Sequence, residues 1–143
     1  MINVLFVCTG NTCRSPMAEA ILKSKNIPGV KVRSSGVFAM NGSDASLHAK
    51  KVLEDQDIEH HHQSSLLTEQ QVEWATYILT MTSGHKANIV ASYPSARKKT
   101  YTLKEFAGGT GDVSDPYGGS LSVYQQTFQE LKQLIEKSIH KLS

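Results

Sequence analysis

Residues 4–19 read VLFVCTGNTCRSPMAE, and this stretch decides the fold. Val4, Leu5, Phe6 and Val7 make a short unbroken apolar run, the pattern of a buried strand. Ser15-Pro16 then opens an amphipathic helix with proline in its first turn. The tight loop between them runs from Cys8 to Arg14, with five residues separating the two. Such a strand-to-helix loop directs several main-chain N–H groups and the positive end of the helix dipole into one small volume, which suits an anion. Cys8 stands at its rim, and its pKa is expected to fall from about 8.5 into a range of roughly 3.5 to 7.5. Arg14 contributes a permanent planar charge matched to two phosphate oxygens. Thr9, Gly10, Asn11, Thr12, Cys13 and Ser15 complete the predicted phosphate-binding loop. The chemistry implied is attack of a thiolate on a tetrahedral anion.

Outward from this stretch, strand-like runs recur at Val30–Val32, Tyr77–Leu79 and Thr100–Leu103, with helical patterns between them. That alternation predicts an α/β domain with a parallel sheet covered by helices on both faces. The first helix is expected over Ser15–Lys25 and buries Met17, Ala20, Ile21 and Leu22. A second, over Asp44–Asp55, turns Ala45, Ala49, Val52 and Leu53 inward, capped by Ser43 or Asp44. Thr68-Glu69-Gln70-Gln71 resembles a capping box opening a third, and Ser83–Ser92 forms a fourth. In the last, Leu121–Leu142, residues Leu121, Tyr124, Phe128, Leu131, Ile135, Ile139 and Leu142 recur at three and four positions and mark a core face.

The chain of 143 residues is expected to form one domain, 1–143, with a sizeable core. A net charge of +2 without a block of like charge argues for neither a nucleic-acid partner nor a membrane surface. The leading MINVLFVC is too short an apolar run for a signal peptide or a membrane span, so a cytoplasmic location is expected. The two cysteines, Cys8 and Cys13, lie five positions apart in one loop. They fit a reducing compartment and a reactive site rather than a disulfide framework.

Thiolate attack on phosphorus expels a group that needs a proton, so a carboxylic acid must face the nucleophile. The Gly-rich stretch from Gly108 to Gly119, GGTGDVSDPYGG, supplies candidates. Following a strand that ends near Leu103, it emerges at the sheet edge where Cys8 sits. Asp115, stiffened by Pro116, is the expected acid, and Asp112 is its rival. Tyr117 either walls the cleft or packs at the loop base. Ser15 either donates a hydrogen bond to Cys8 or caps the helix. Cys13 either traps an oxidised Cys8 as a disulfide or fills space as a buried thiol. No metal is expected at His60-His61-His62, because adjacent side chains do not converge on one ion and no further ligand pair follows at metal spacing. An exposed loop with one buried, hydrogen-bonded histidine is expected instead.

VCTGNTCRSPMAE together with DPYGG, Ser34-Ser35-Gly36 and Ile78–Met81 resembles the low-molecular-weight protein tyrosine phosphatase family across essentially the whole chain. The resemblance implies a three-layer fold with a four-stranded parallel sheet, no metal and no cofactor. It further implies Cys8 as nucleophile, Arg14 as phosphate clamp and Asp115 as general acid. Asn11, Ser15 and His62 would hold the loop. Within that family the usual loop has Ile where this chain has Thr12, a departure similar to the bacterial protein-arginine-phosphatase branch. Thr is about one methyl smaller than Ile and carries a hydroxyl, which suits a polar guanidinium better than a phenyl ring. Phe38 or Tyr117 would stack on that group. The expected reaction is therefore hydrolysis of phosphoarginine on proteins by a monomer, releasing inorganic phosphate, with phosphotyrosine as the second reading. A thiol-dependent arsenate reductase would need redox cysteines outside the loop, and this chain has none. A silent phosphoprotein-binding module would need neither Cys8 nor Asp115.

Overall fold

The computed structural model describes residues 1–142. Strands β1 (Ile2–Cys8), β2 (Val30–Gly36), β3 (Tyr77–Thr80) and β4 (Thr100–Thr102) form one parallel sheet in the order β2-β1-β3-β4. Helices α1 (Arg14–Ser24), α2 (Leu47–Asp55), α3 (Glu69–Trp74), α4 (Ser83–Ser92), α5 (Leu103–Phe106) and α6 (Leu121–Ser138) connect and cover it. β1 is central, and Val4 to Val7 are at most 1% exposed, as an unbroken apolar run requires. Strand alternation divides this run between two cores. Val4, Phe6 and Cys8 join α1, α2 and α6 on one side, while Leu5 and Val7 join Val72 of α3 and Ile89 of α4 on the other. The three-layer α/β fold expected from the sequence is the fold observed. Among the described residues no helix is long and apolar enough to cross a membrane.

The departures are at element ends. Helix α1 begins at Arg14, and its N-cap, Cys13, makes no side-chain cap bond, so Ser15 is no cap. α2 begins three residues later than expected, at Leu47, because Ser46 rather than Ser43 or Asp44 accepts the Ala49 N–H, at 3.2 Å. The Asp44 carboxylate instead takes the Ala45 N–H at 2.8 Å and pairs with Lys50. The Thr68 capping box forms as expected. α6 ends at Ser138 and gives way to a 3-10 turn, Ile139–Lys141. A one-turn helix, α5, and a 3-10 segment, Pro94–Lys99, were too short to show periodicity.

Candidate active site

The loop from Cys8 to Arg14 is built around Asn11, which is fully buried and sits in the left-handed region at φ 57°. A non-glycine residue holds that conformation only when its surroundings fix it. Here the side-chain amide and the main-chain carbonyl of Asn11 are both engaged. Its side-chain N–H groups donate to Ser15 Oγ at 2.7 Å and Ser34 Oγ at 3.0 Å, and its Oδ1 accepts from the Ser65 N–H at 2.9 Å. Its main-chain oxygen accepts from His62 Nε2 at 2.7 Å and Ser64 Oγ at 2.8 Å. The loop is also tied to its neighbours through main chain: Ser46 N–H donates to Thr12 at 2.9 Å, Val37 N–H to Cys8 at 3.0 Å and Phe38 N–H to Thr9 at 2.9 Å. Gly36, opposite Cys8 in β2, is where this bend leaves no room. A Cβ there would collide with the Thr9 carbonyl oxygen and lie 2.9 Å from Asn11 N and 3.0 Å from Ala39 Cβ.

Cys8 ends β1 with its sulfur 2.8 Å from Ser15 Oγ. Burial dominates its titration and pushes the thiol up. Hydrogen bonds from the Ser15 side chain and from the Ser15 and Asn11 main chain, with the Arg14 charge, pull it down without overcoming burial. The depressed pKa expected from the loop alone is therefore corrected. The sequence shows the donors, but not that Cys8 would be only 3% exposed.

Arg14 is equally buried, and its Nη1 donates to the Val113 carbonyl at 2.9 Å. Its Nη2 lies 3.7 Å from Asp115 Oδ2. Val113 is itself anchored by its N–H to the Met81 carbonyl at 2.8 Å, so the tip of β3 holds the Gly-rich loop against Arg14. Asp115 remains open to solvent and accepts the Tyr117 N–H at 3.0 Å, the turn that Asp-Pro predisposes. Asp112 is occupied elsewhere, accepting the Ser83 N–H at the start of α4 at 2.8 Å.

A cavity of about 250 Å³ opens between the two loops, lined by Cys8, Thr9, Gly10, Thr12, Cys13, Arg14, Asp115 and Tyr117. It separates the two candidate aromatic walls. Tyr117 is part of its lining and Phe38 is not, although both rings are largely exposed, and the Phe38 N–H bonds the Thr9 carbonyl. Cys13 is buried, with its sulfur 3.2 Å from Tyr124 OH and 3.7 Å from Ser46 Oγ, and neither cysteine is in a disulfide.

Sequence reading missed two supports. His85, on α4, reaches Thr9 Oγ1 through Nε2 at 2.8 Å. Burial and the nearby Arg14 charge lower its pKa to about 4, against the pull of Asp112 and Asp115. Glu19, on α1, accepts from Ser34 Oγ at 2.5 Å and so stands one hydroxyl behind Asn11. The histidine run also differs from expectation. His61 is exposed, but the side chains of both His60 and His62 are enclosed and stack with ring centroids 5.6 Å apart, because residues two apart on an extended segment share a face.

The family model for low molecular weight phosphotyrosine protein phosphatase matches residues 3–143. A protein-arginine-phosphatase of Geobacillus stearothermophilus is 55% identical over 140 residues, covering 97% of this chain and 95% of that one. The solved structure of YwlE arginine phosphatase from the same organism superposes with a TM-score of 0.97 at 54% identity, covering 99% of this chain and 93% of that one. A YwlE arginine phosphatase mutant with a phosphorylated active-site serine gives a TM-score of 0.95 at 45% identity, covering 99% and 95% of the two chains. With its fold, its cysteine–arginine loop and its similarity along nearly its whole length, the chain belongs to the low molecular weight phosphotyrosine protein phosphatase family.

Proposed function

We propose that this chain is a protein-arginine phosphatase working through a phosphocysteine at Cys8. The observation that carries the reading is Thr12, which lines the same cavity as Cys8, Arg14, Asp115 and Tyr117. Its hydroxyl offers a polar wall to a guanidinium where isoleucine would offer an apolar one. The 55% identical relative named protein-arginine-phosphatase supports the same choice. The tyrosine alternative draws on Tyr117, whose ring would pack a phenyl group equally well.

The phosphoryl group sits on the loop N–H groups with two oxygens on Arg14. Cys8 gives its proton to a phosphoryl oxygen of the arriving substrate, and the thiolate attacks phosphorus. The S–P bond forms as the P–N bond breaks, and Asp115 gives its proton to the departing arginine nitrogen. The Asp115 carboxylate then pairs with the guanidinium so formed. In the second step Asp115 takes a proton from water, the oxygen attacks phosphorus, and the S–P bond breaks with its electrons returning to Cys8. The Ser15 hydroxyl donates a hydrogen bond to the emerging thiolate, which then recovers from the departing phosphate the proton it lent to the phosphoryl oxygen. Inorganic phosphate leaves. Every named group comes from one chain, which supports action as a monomer on phosphorylated proteins. A cytoplasmic setting suits the two reduced thiols at the site.

The test is paired hydrolysis of phosphoarginine and phosphotyrosine proteins by the wild type and by Thr12→Ile. The wild type is expected to prefer phosphoarginine and the variant to move toward phosphotyrosine. A wild type that strongly prefers phosphotyrosine, or a ratio untouched by the substitution, overturns the arginine reading.

A further inference from the structure

We infer that His85 is a positioning residue that holds the Thr9 hydroxyl on the wall of the substrate cavity, where Thr9 supplies a hydrogen-bond acceptor to the guanidinium of a phosphoarginine. In this role, which rests on the phosphoarginine reading of the site, Thr9 joins Thr12 as a second specificity-determining residue.

His85 and Thr9 stand 76 positions apart in the chain and meet at 2.8 Å, Nε2 to Oγ1. His85 lies in the first turn of α4 and is 8% exposed. Its main-chain N–H donates to Thr82 Oγ1 at 3.1 Å, and the nearby Ser83 N–H donates to Asp112 at 2.8 Å, so this end of α4 is fixed. Thr9 is exposed and lines the cavity beside Cys8. Its carbonyl is held by the Phe38 N–H at 2.9 Å, which leaves the side chain as the part still to be placed.

The other ring nitrogen of His85, Nδ1, is buried with no hydrogen-bond partner, so among the described residues Thr9 is the ring's single hydrogen-bond partner. An apolar side chain of like size would fill the same space without stranding a nitrogen, so packing alone does not call for histidine. What histidine adds is the bond to Thr9. That bond selects one staggered rotamer for an otherwise exposed side chain and pre-organises its oxygen for a ligand.

A hydroxyl has one proton and two lone pairs. If Thr9 donates to Nε2 both lone pairs remain, and if it accepts from an Nε2–H one remains, so either tautomer leaves an acceptor. A guanidinium is planar and presents N–H donors around its edge, whereas a phenyl ring presents none. Thr9, Thr12 and Asp115 line one cavity and together offer such a group two hydroxyls and a carboxylate. Burial and the Arg14 charge keep His85 uncharged, with a pKa of about 4, so it places no second positive charge beside the guanidinium.

The test is steady-state kinetics of the full chain on phosphoarginine and phosphotyrosine proteins, for the wild type, His85→Leu, Thr9→Val and the double variant. Thr9→Val is expected to lose about tenfold in kcat/KM on phosphoarginine, mainly through KM, and clearly less on phosphotyrosine. His85→Leu should lose about threefold or more with the same preference, and should cost nothing further once Thr9 is Val, because no hydroxyl is left to position. His85→Gln, whose amide can stand where Nε2 stands, should recover most of the loss. Equal losses on both substrates, losses that multiply in the double variant, or a Gln variant no better than the Leu variant overturn the role of His85 while leaving a wild-type preference for phosphoarginine intact. A wild type that prefers phosphotyrosine overturns the phosphoarginine reading and the Thr9 contact with it. Thr9→Val alters an exposed side chain, so its substrate ratio decides the matter even if His85→Leu folds poorly.

Discussion

The Ser15 oxygen lies 2.8 Å from the Cys8 sulfur and accepts the Asn11 side-chain amide at 2.7 Å. A thiolate only accepts, so once Cys8 is ionised the Ser15 hydroxyl, which still accepts from Asn11, points its proton at sulfur. The arrangement is worth most when Cys8 is a thiolate, so in the proposed mechanism Ser15 supports the nucleophile before attack and the leaving group after it.

Ser15→Ala removes a hydrogen bond to a charged group, worth about 1.5–3 kcal/mol. Turnover should fall about 10- to 100-fold, with the second step slowed enough that rapid mixing shows a burst of the dephosphorylated product. The pH midpoint for alkylation of Cys8, already raised above that of an ordinary thiol by burial, should move higher still. An unchanged midpoint would mean that the Ser15 proton does not serve the sulfur.

Asp115→Asn keeps the size of the side chain and the Tyr117 turn while removing the transferable proton. General acid–base catalysis contributes about 10²- to 10⁴-fold, so turnover of phosphoarginine should drop within that range. An aryl phosphate whose leaving group needs no protonation should suffer far less. Equal losses on both substrates would assign Asp115 to binding instead.

Gly36→Ala forces a methyl onto the Thr9 carbonyl oxygen. Overpacking of this kind costs about 1–3 kcal/mol, and the collision falls on the phosphate loop itself. Thermal unfolding should shift down by several degrees, and inorganic phosphate should bind more weakly than to the wild type. A variant with unchanged Tm and phosphate affinity would show that the β2 end is not what holds the loop.

Acidification should weaken the fold in two stages. His85 is held neutral with a pKa of about 4 against an ordinary 6.5, chiefly by burial and the Arg14 charge. Its contribution is complete above pH 6.5 and is lost as pH falls from there toward 4, because the unfolded chain takes the proton first. For Glu19 burial favours the neutral acid, but His62, Lys23 and Ser34 together outweigh it and hold the pKa at about 2 against 4.5. Its contribution is present above about 4.5 and is lost as pH falls through 2. Urea unfolding across this range should show the upper decline disappear in His85→Gln and the lower one in Glu19→Gln.

The legible parts of this fold were those written in local pattern. Val4–Val7 as a doubly buried strand, the Thr68 capping box and the core face of α6 each depend on residues within a few positions of one another. Helix ends were less legible where several residues competed for one role. Ser43, Asp44 and Ser46 all make competent caps, and the tether from Ser46 N–H to the Thr12 carbonyl fixes Ser46 in place. The exclusion of Phe38 from the cavity lining was not legible either, since nothing in its neighbours says which way β2 turns after Gly36.

The sequence by itself determined the α/β fold and the pairing of a cysteine–arginine loop with a later aspartate, because residue types and spacing carry both. Tertiary structure alone decided what surrounds them. It joined Asn11 to His62, Ser64 and Ser65, Thr9 to His85, and Arg14 to Val113 and Asp115 across long stretches of chain. It also buried Cys8 deeply enough to reverse the expected direction of its pKa. Those effects depend on which groups close packing brings together and how much water it removes, and neither is written in the order of neighbouring residues.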